Sequence, residues 1–283
     1  MAFFASDPIE YESLVLAKVW AIDPNNLRQT FNNEHFGNVS HHILVIEPLP
    51  TNHWLFVKRI ASRRVFEMLW EKHLKTRVSD MKYFYDLFRA TTTTASSAGW
   101  VFEFRMHQLL TRQQTIRLFP ITQDNPGPKN FIYRGYPGEN PIDLQLIKSD
   151  EHRLLEDEFH ANRYYRPTST NFPTIDSLLI HPPDSPPISL AFQITRNNKE
   201  HDVNEAGLQR IDELKSTEDA QNARLCFVAV TPEGVEPEIK VPKAYFGMRN
   251  NKKLPVEKFQ VFNYPVSVDA LFPEQSASDP SHT

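Results

Sequence analysis

One cysteine, Cys226, stands in a chain of 283 residues, which excludes an intramolecular disulfide and a cysteine-rich zinc site. It lies in the apolar run RLCFVAV, where a thiol packs as a small inert hydrophobe. Glycine is scarce at 8 residues while proline reaches 22, so the connections are expected to be ordered segments with fixed bends, not floppy linkers. No stretch reaches the roughly 18 consecutive apolar residues of a membrane helix. The opening MAFFASDPIEYES has no basic start and turns acidic at once, so it does not read as a secretory signal. The expected location is intracellular and away from membranes. Net charge is −4, so no whole-protein positive field draws in nucleic acid, and such a surface must be a local patch. The phosphate-loop pattern G-x-x-x-x-G-K-[ST] is absent and leaves nucleotide hydrolysis without support. No internal repeat is visible.

What is there is an ordinary globular composition, 40% hydrophobic and 23% charged. Residues 10–20 have helical spacing, HHILVIEPL reads as a short strand ended by Pro48, and 62–77 as one amphipathic helix. Its apolar face is Val65, Phe66, Leu69, Trp70 and Leu74. Ser79 is placed to cap the next helix, DMKYFYDLFRA. The polar run TTTTASSAG, 91–99, reads as a link and sets the domain boundary. The expected division is 1–92, a mostly helical extension; 93–270, the main domain; and 271–283, a disordered tail.

After that boundary the pattern changes. WVFEFRMHQLL reads as a helix, and TIRLFPI, NFIYRGY and IDLQLI as strands. An acidic stretch, SDEHRLLEDEFHANRYYRP, reads as helix or loop. TIDSLLI and ISLAFQIT form a strand pair across the turn HPPDSPP. NEAGLQRIDELKS reads as a helix, ARLCFVAV as a central parallel strand and KFQVFNYPVSV as a final strand. The fold class is therefore α/β, a mixed sheet flanked by helices.

Within this frame a few polar residues stand in apolar surroundings. Asp176 sits between Ile175 and Leu178, and burying it unpaired costs several kcal/mol, so it needs a partner or a cation. Gln193 and Thr195 end the next strand and share one face, because strand side chains alternate. Glu103 lies between Phe102 and Phe104 on the preceding helix, one turn before His107. Carboxylates and oxygen donors in this order suit a hard divalent cation, Mg²⁺ or Mn²⁺. Each residue also has a plainer reading. Asp176 can bond the backbone of the proline-rich turn, Glu103 can pair with Arg105 or Arg112, and Gln193 and Thr195 can cap a sheet edge.

The order of Asp, strand pair, Gln-x-Thr dyad and helix resembles the PD-(D/E)XK, restriction-endonuclease-like superfamily. SAGWVFEFRMHQLL, RYYRPTSTNFPTIDSLLI, FQITRNNKEHDVNEAGLQRI and LCFVAVTP look like the nuclease-like module of Crinkler and retrotransposon-hot-spot effector proteins, in a fungal flavour, over about residues 95–232. The resemblance implies metal-dependent phosphodiester hydrolysis of DNA. In it Glu103 positions a metal-bound water, Asp176 is the central metal ligand, Gln193 takes the place of the second strand carboxylate, and the carbonyl of Ile194 adds a ligand. Thr195 occupies the lysine position, with Lys199 or His201 as substitute cation or base. Gln for Glu and Thr for Lys leave a second outcome: a catalytically degenerate nuclease fold that binds DNA or protein. The resemblance also implies an NTPase domain or partner chain, and a nuclear site of action, the host nucleus for a secreted effector.

Two basic stretches complete the expected DNA surface. VKRIASRRVFEMLWEKHLKTR carries seven Lys or Arg against two Glu, and Lys58, Arg63 and Arg64 are its candidate phosphate contacts, or else a solvated helix face. RYYRP offers Arg163, Tyr164, Tyr165 and Arg166 to a DNA backbone, or buries its two tyrosines in the core.

Overall fold

The computed structural model of the chain describes residues 8–32, 42–49, 52–111, 114–121, 129–133, 142–144, 164–167, 175–180, 188–196, 201–203, 207, 224–240, 248–249, 252–253 and 260–273. The chain divides into two compact units, Met1–Phe104 with Phe272–Thr283, and Arg105–Leu271. The expected boundary at 92/93 falls inside a short 3-10 turn, Thr92–Thr94. The threonine run is thus not a link: the turn leads straight into a helix that starts at Ala95.

The first unit holds α1 (Pro8–Trp20), a 3-10 turn (Pro24–Asn26), α2 (Leu27–Asn32), the antiparallel pair β1 (Leu44–Leu49) and β2 (Asn52–Ile60), α3 (Arg63–Leu69), α4 (Val78–Arg89) and the first turns of α5 (Ala95–Leu110). The helical extension therefore contains a β-hairpin, and β1 runs through Pro48 to Leu49. Proline is tolerated there because a two-stranded ladder leaves every second N–H unpaired.

The segment expected as one helix over 62–77 starts as drawn. Ser62 accepts the Val65 N–H at 3.3 Å and satisfies an orphan donor of α3. The helix then widens into a π turn, Trp70–Leu74, closed by Lys75 N–H on the Trp70 carbonyl at 2.9 Å. All five residues of the apolar face are buried. Phe66 and Trp70 meet Phe104 at ring distances of 5.2 and 5.3 Å, which ties α3 to α5 by edge contacts between aromatic rings. Ser79 does not cap α4; that helix begins one residue earlier, at Val78, after Arg77.

The second unit carries β3 (Gln114–Pro120), β4 (Lys129–Tyr133), β5 (Ile142–Leu144), β6 (Tyr164–Pro167), β7 (Ser177–Ile180), β8 (Ile188–Ile194), β9 (His201–Asp202), β10 (Arg224–Pro232), β11 (Ile239–Lys240), β12 (Met248–Arg249), β13 (Lys252–Lys253), β14 (Gln260–Val266) and a helical turn α6 (Val268–Leu271). Eight of the described strands form one mixed sheet in the order β4-β3-β14-β10-β8-β7-β6-β5. Strands β6, β7 and β8 are an antiparallel meander, and β10 lies parallel to both β8 and β14.

The nearly continuous apolar run of β10 follows from this position, because a central parallel strand is covered on both faces; Leu225 to Thr231 are all buried, Cys226 among them. Tyr164–Pro167 is a strand, not the helix or loop expected for RYYRP. Its two β-favouring tyrosines outweigh the acidic residues before it. Of the helix expected over 204–216 only Gly207 is described, and it is helical. Of the disordered tail expected over 271–283, Leu271 instead ends α6 and Phe272 is buried, and the residues beyond 273 lie outside the described ones.

Candidate functional site

Asp176 immediately precedes β7 and is fixed there by its own N–H, which donates to the Phe192 carbonyl at 2.8 Å. Its side chain reaches across to the end of β8. Oδ2 accepts the Ile194 N–H at 2.6 Å and the Gln193 Nε2 at 2.9 Å. Asp176 is half-buried, and its carboxylate is met by two donors, one backbone and one amide. The proline-rich turn is not the partner in these two bonds; both come from the neighbouring strand.

A carboxylate opposite a second carboxylate needs a cation or a shared proton between them, whereas a carboxylate opposite a primary amide needs neither. As arranged, Gln193 presents its N–H to Asp176. Coordinating a cation at this point requires Gln193 to turn its amide over and offer Oε1 instead. In the arrangement seen, Gln193 turns its amide nitrogen, not its oxygen, toward Asp176. Among the described residues, no group of three or more His, Cys, Asp or Glu side chains converges as a metal site.

The sheet register extends this polar end of the strands. Ala229 on β10 stands opposite both Gln193 and Asn263, so Gln193 and Asn263 lie in one row on one face, with Thr195 and Thr231 next along it. Thr231 is fully buried, and its Oγ1 lies 3.0 Å from Asn263 Oδ1 and 3.1 Å from the Val235 carbonyl. Thr195 is buried, and its N–H continues the ladder to the Val230 carbonyl at 2.9 Å. Asn263 and Thr231 were not foreseen. The available signal was the same as for Asp176, a lone polar residue in an apolar strand, VFNYPV.

The opposite face is differently furnished. Ser177 stands opposite Phe192 and Tyr164 opposite Leu179. There the Tyr164 hydroxyl donates to Ser177 Oγ at 2.7 Å and lies 2.5 Å from His107 Nδ1. All three side chains are buried. Because the one phenolic proton goes to Ser177, His107 Nδ1 is the donor in that contact. His107 is thereby committed to holding α5 against β6 and β7, on the face away from Gln193 and Thr195.

Glu103 belongs to the first unit. It forms a two-pronged ion pair with Arg63, Nη2 to Oε1 at 2.5 Å and Nη1 to Oε2 at 3.0 Å. The partners foreseen, Arg105 and Arg112, are not the ones found in this pair: Arg105 is buried, with Nε on the Leu271 carbonyl at 2.7 Å, and Arg112 lies outside the described residues. Arg63 also reaches Glu67 at 3.4 Å, Arg64 bonds Glu12 and Glu67, and Lys58 Nζ donates to the Phe31 carbonyl at 3.1 Å. The three cations expected to grip phosphates thus have partners within the chain. Bonds to Glu12 raise the Arg64 pKa further above its ordinary value. Tyr164 and Tyr165 are both buried, so the core-packing reading of that pair holds. Arg166 is partly exposed, while Arg163 and Lys199 lie outside the described residues.

Compared with known protein families, with curated proteins and with solved structures, the chain matches none. No helix among the described residues is long and apolar enough to cross a membrane.

Proposed function

We propose that the second unit is a restriction-endonuclease-like domain of the Crinkler type in which hydrolysis has been given up, and that the protein is a binding module for DNA or protein. The observation that carries this reading is the Asp176–Gln193 hydrogen bond at 2.9 Å. It replaces a pair of like charges, which a metal would relieve, with a pair that carries no such repulsion. Thr195, buried at the position where the resemblance expects a cationic lysine, supplies no positive charge for a transition state.

A second reading, hydrolysis of DNA with Mg²⁺ or Mn²⁺ and with an NTPase partner, is favoured by the strand order. A meander β6-β7-β8 followed by a parallel β10 brings Asp176 beside the Gln-Ile-Thr end of β8. That reading needs a Gln193 amide flip, and it needs Glu103 released from Arg63.

Plasmid nicking and Mn²⁺ calorimetry decide between them. The binding reading expects no cleavage in Mg²⁺ or Mn²⁺ and no heat of Mn²⁺ binding. Metal-dependent nicking that Asp176→Ala abolishes overturns it. Retention of labelled DNA then separates a DNA module from a protein module.

A further inference from the structure

We propose that the outer edge of β2 is a docking edge for a second copy of this chain, paired antiparallel, β2 against β2, about a two-fold axis at Phe56. The first observation is exposure. Trp54, Leu55 and Phe56 are consecutive and 90%, 54% and 61% exposed, on a hairpin that forms a sheet of only two strands. Such a run of large apolar residues marks an interaction surface, and a lone hairpin is marginal in water.

The second observation is the direction of the backbone. The Trp54 N–H is taken by Asn52 Oδ1 at 3.0 Å and the Ile60 N–H by Ser97 Oγ at 3.3 Å, not by β1. Phe56 stands opposite Pro48, which has no N–H to give. Because antiparallel ladders alternate, the N–H and C=O of Phe56 face away from β1. Among the described residues no strand pairs with that edge. The β1 edge is blunted by Pro48; the β2 edge has no proline.

The third observation selects the occupant. The strand NHWLFVKRI is self-complementary when reversed about Phe56. Leu55 then faces the other copy's Val57 on one side of the extended sheet. On the other side Trp54 faces the other copy's Lys58, whose aliphatic stem suits an indole face. The two Lys58 residues are kept apart. His53 falls opposite Arg59, a cation already balanced by Glu47 on β1. The product is a four-stranded sheet with an isologous interface, the geometry that closes at two copies.

Sedimentation velocity on the full chain at micromolar concentration tests this. The expected result is a concentration-dependent dimer. Trp54→Ala weakens it by about tenfold or more, as removal of a central aromatic anchor does. Phe56→Pro returns it to monomer without touching a β1 bond. Trp20→Ala, at a residue 61% exposed on α1, leaves the dimer unchanged. Phe56→Cys provides the positional readout: oxidation should give a disulfide-linked dimer through position 56, while buried Cys226 stays reduced. A parent that stays monomeric throughout overturns the proposal, and so does a dimer indifferent to both Trp54→Ala and Phe56→Pro.

Discussion

Replacing Gln193 by Glu tests the central pair most directly. The substitution exchanges an N–H donor 2.9 Å from Asp176 Oδ2 for a second carboxylate oxygen. Two unit charges about 4 Å apart repel by about 4 kcal/mol at an effective dielectric of about 20. Gln193 is only half-buried, so solvent lowers that figure. Proton uptake also caps it. Holding a carboxyl of ordinary pKa about 4.3 in its neutral form costs about 3.7 kcal/mol at about pH 7 and about 1 kcal/mol at about pH 5. Once protonated, the introduced carboxyl donates to Asp176 and restores the bond. The expected destabilisation is therefore about 2–4 kcal/mol near neutrality, falling to about 1 kcal/mol at about pH 5.

The assay is urea unfolding in chelator at the two pH values. All four tryptophans, Trp20, Trp54, Trp70 and Trp100, lie in the first unit. Tryptophan emission thus follows that unit, and far-UV dichroism with tyrosine signals adds the second. Mn²⁺ should restore most of the lost stability, because a cation between two carboxylates removes their repulsion. A variant as stable as the parent at both pH values in chelator refutes the Asp176–Gln193 contact and the argument built on it.

Two further outcomes follow from the same geometry. Tyr164→Phe removes the hydroxyl that joins buried His107 to buried Ser177, and thermal or urea unfolding should show a loss of about 1–3 kcal/mol; adding Ser177→Ala should cost less than the two single changes summed. Burial raises the pKa of Tyr264 above its ordinary 10.0. The folded state therefore holds that proton longer than the unfolded state, and the stability it contributes below about pH 10 is lost as pH rises through the folded value. Absorbance titration should show one tyrosine ionising late, and Tyr264→Phe should remove it and flatten the alkaline loss of stability.

Local pattern carried much of the fold. The period-2 and all-apolar runs announced β3, β7, β8, β10 and β14, and the helical face of Val65, Phe66, Leu69, Trp70 and Leu74 was legible from spacing alone, since burial periodicity is written into the chain. The lone Asp176 was legible too, because a carboxylate between apolar strand residues must be answered by something. That the answer comes from the end of the next strand was legible as well; that it is an amide and a backbone N–H was not. Gln193 and the Ile194 N–H are remote in sequence, and only the antiparallel register of β7 on β8 brings them to Oδ2. Likewise Glu103 had two candidate arginines nearby in sequence, Arg105 and Arg112, yet the packing of α3 on α5 gave it Arg63. The pairing of Thr231 with Asn263 depended on which strand became the neighbour of β10. Propensity and periodicity are properties of neighbouring residues and were set by the sequence by itself. Which donor meets which acceptor depends on strand order and helix packing, and the tertiary structure alone decided that.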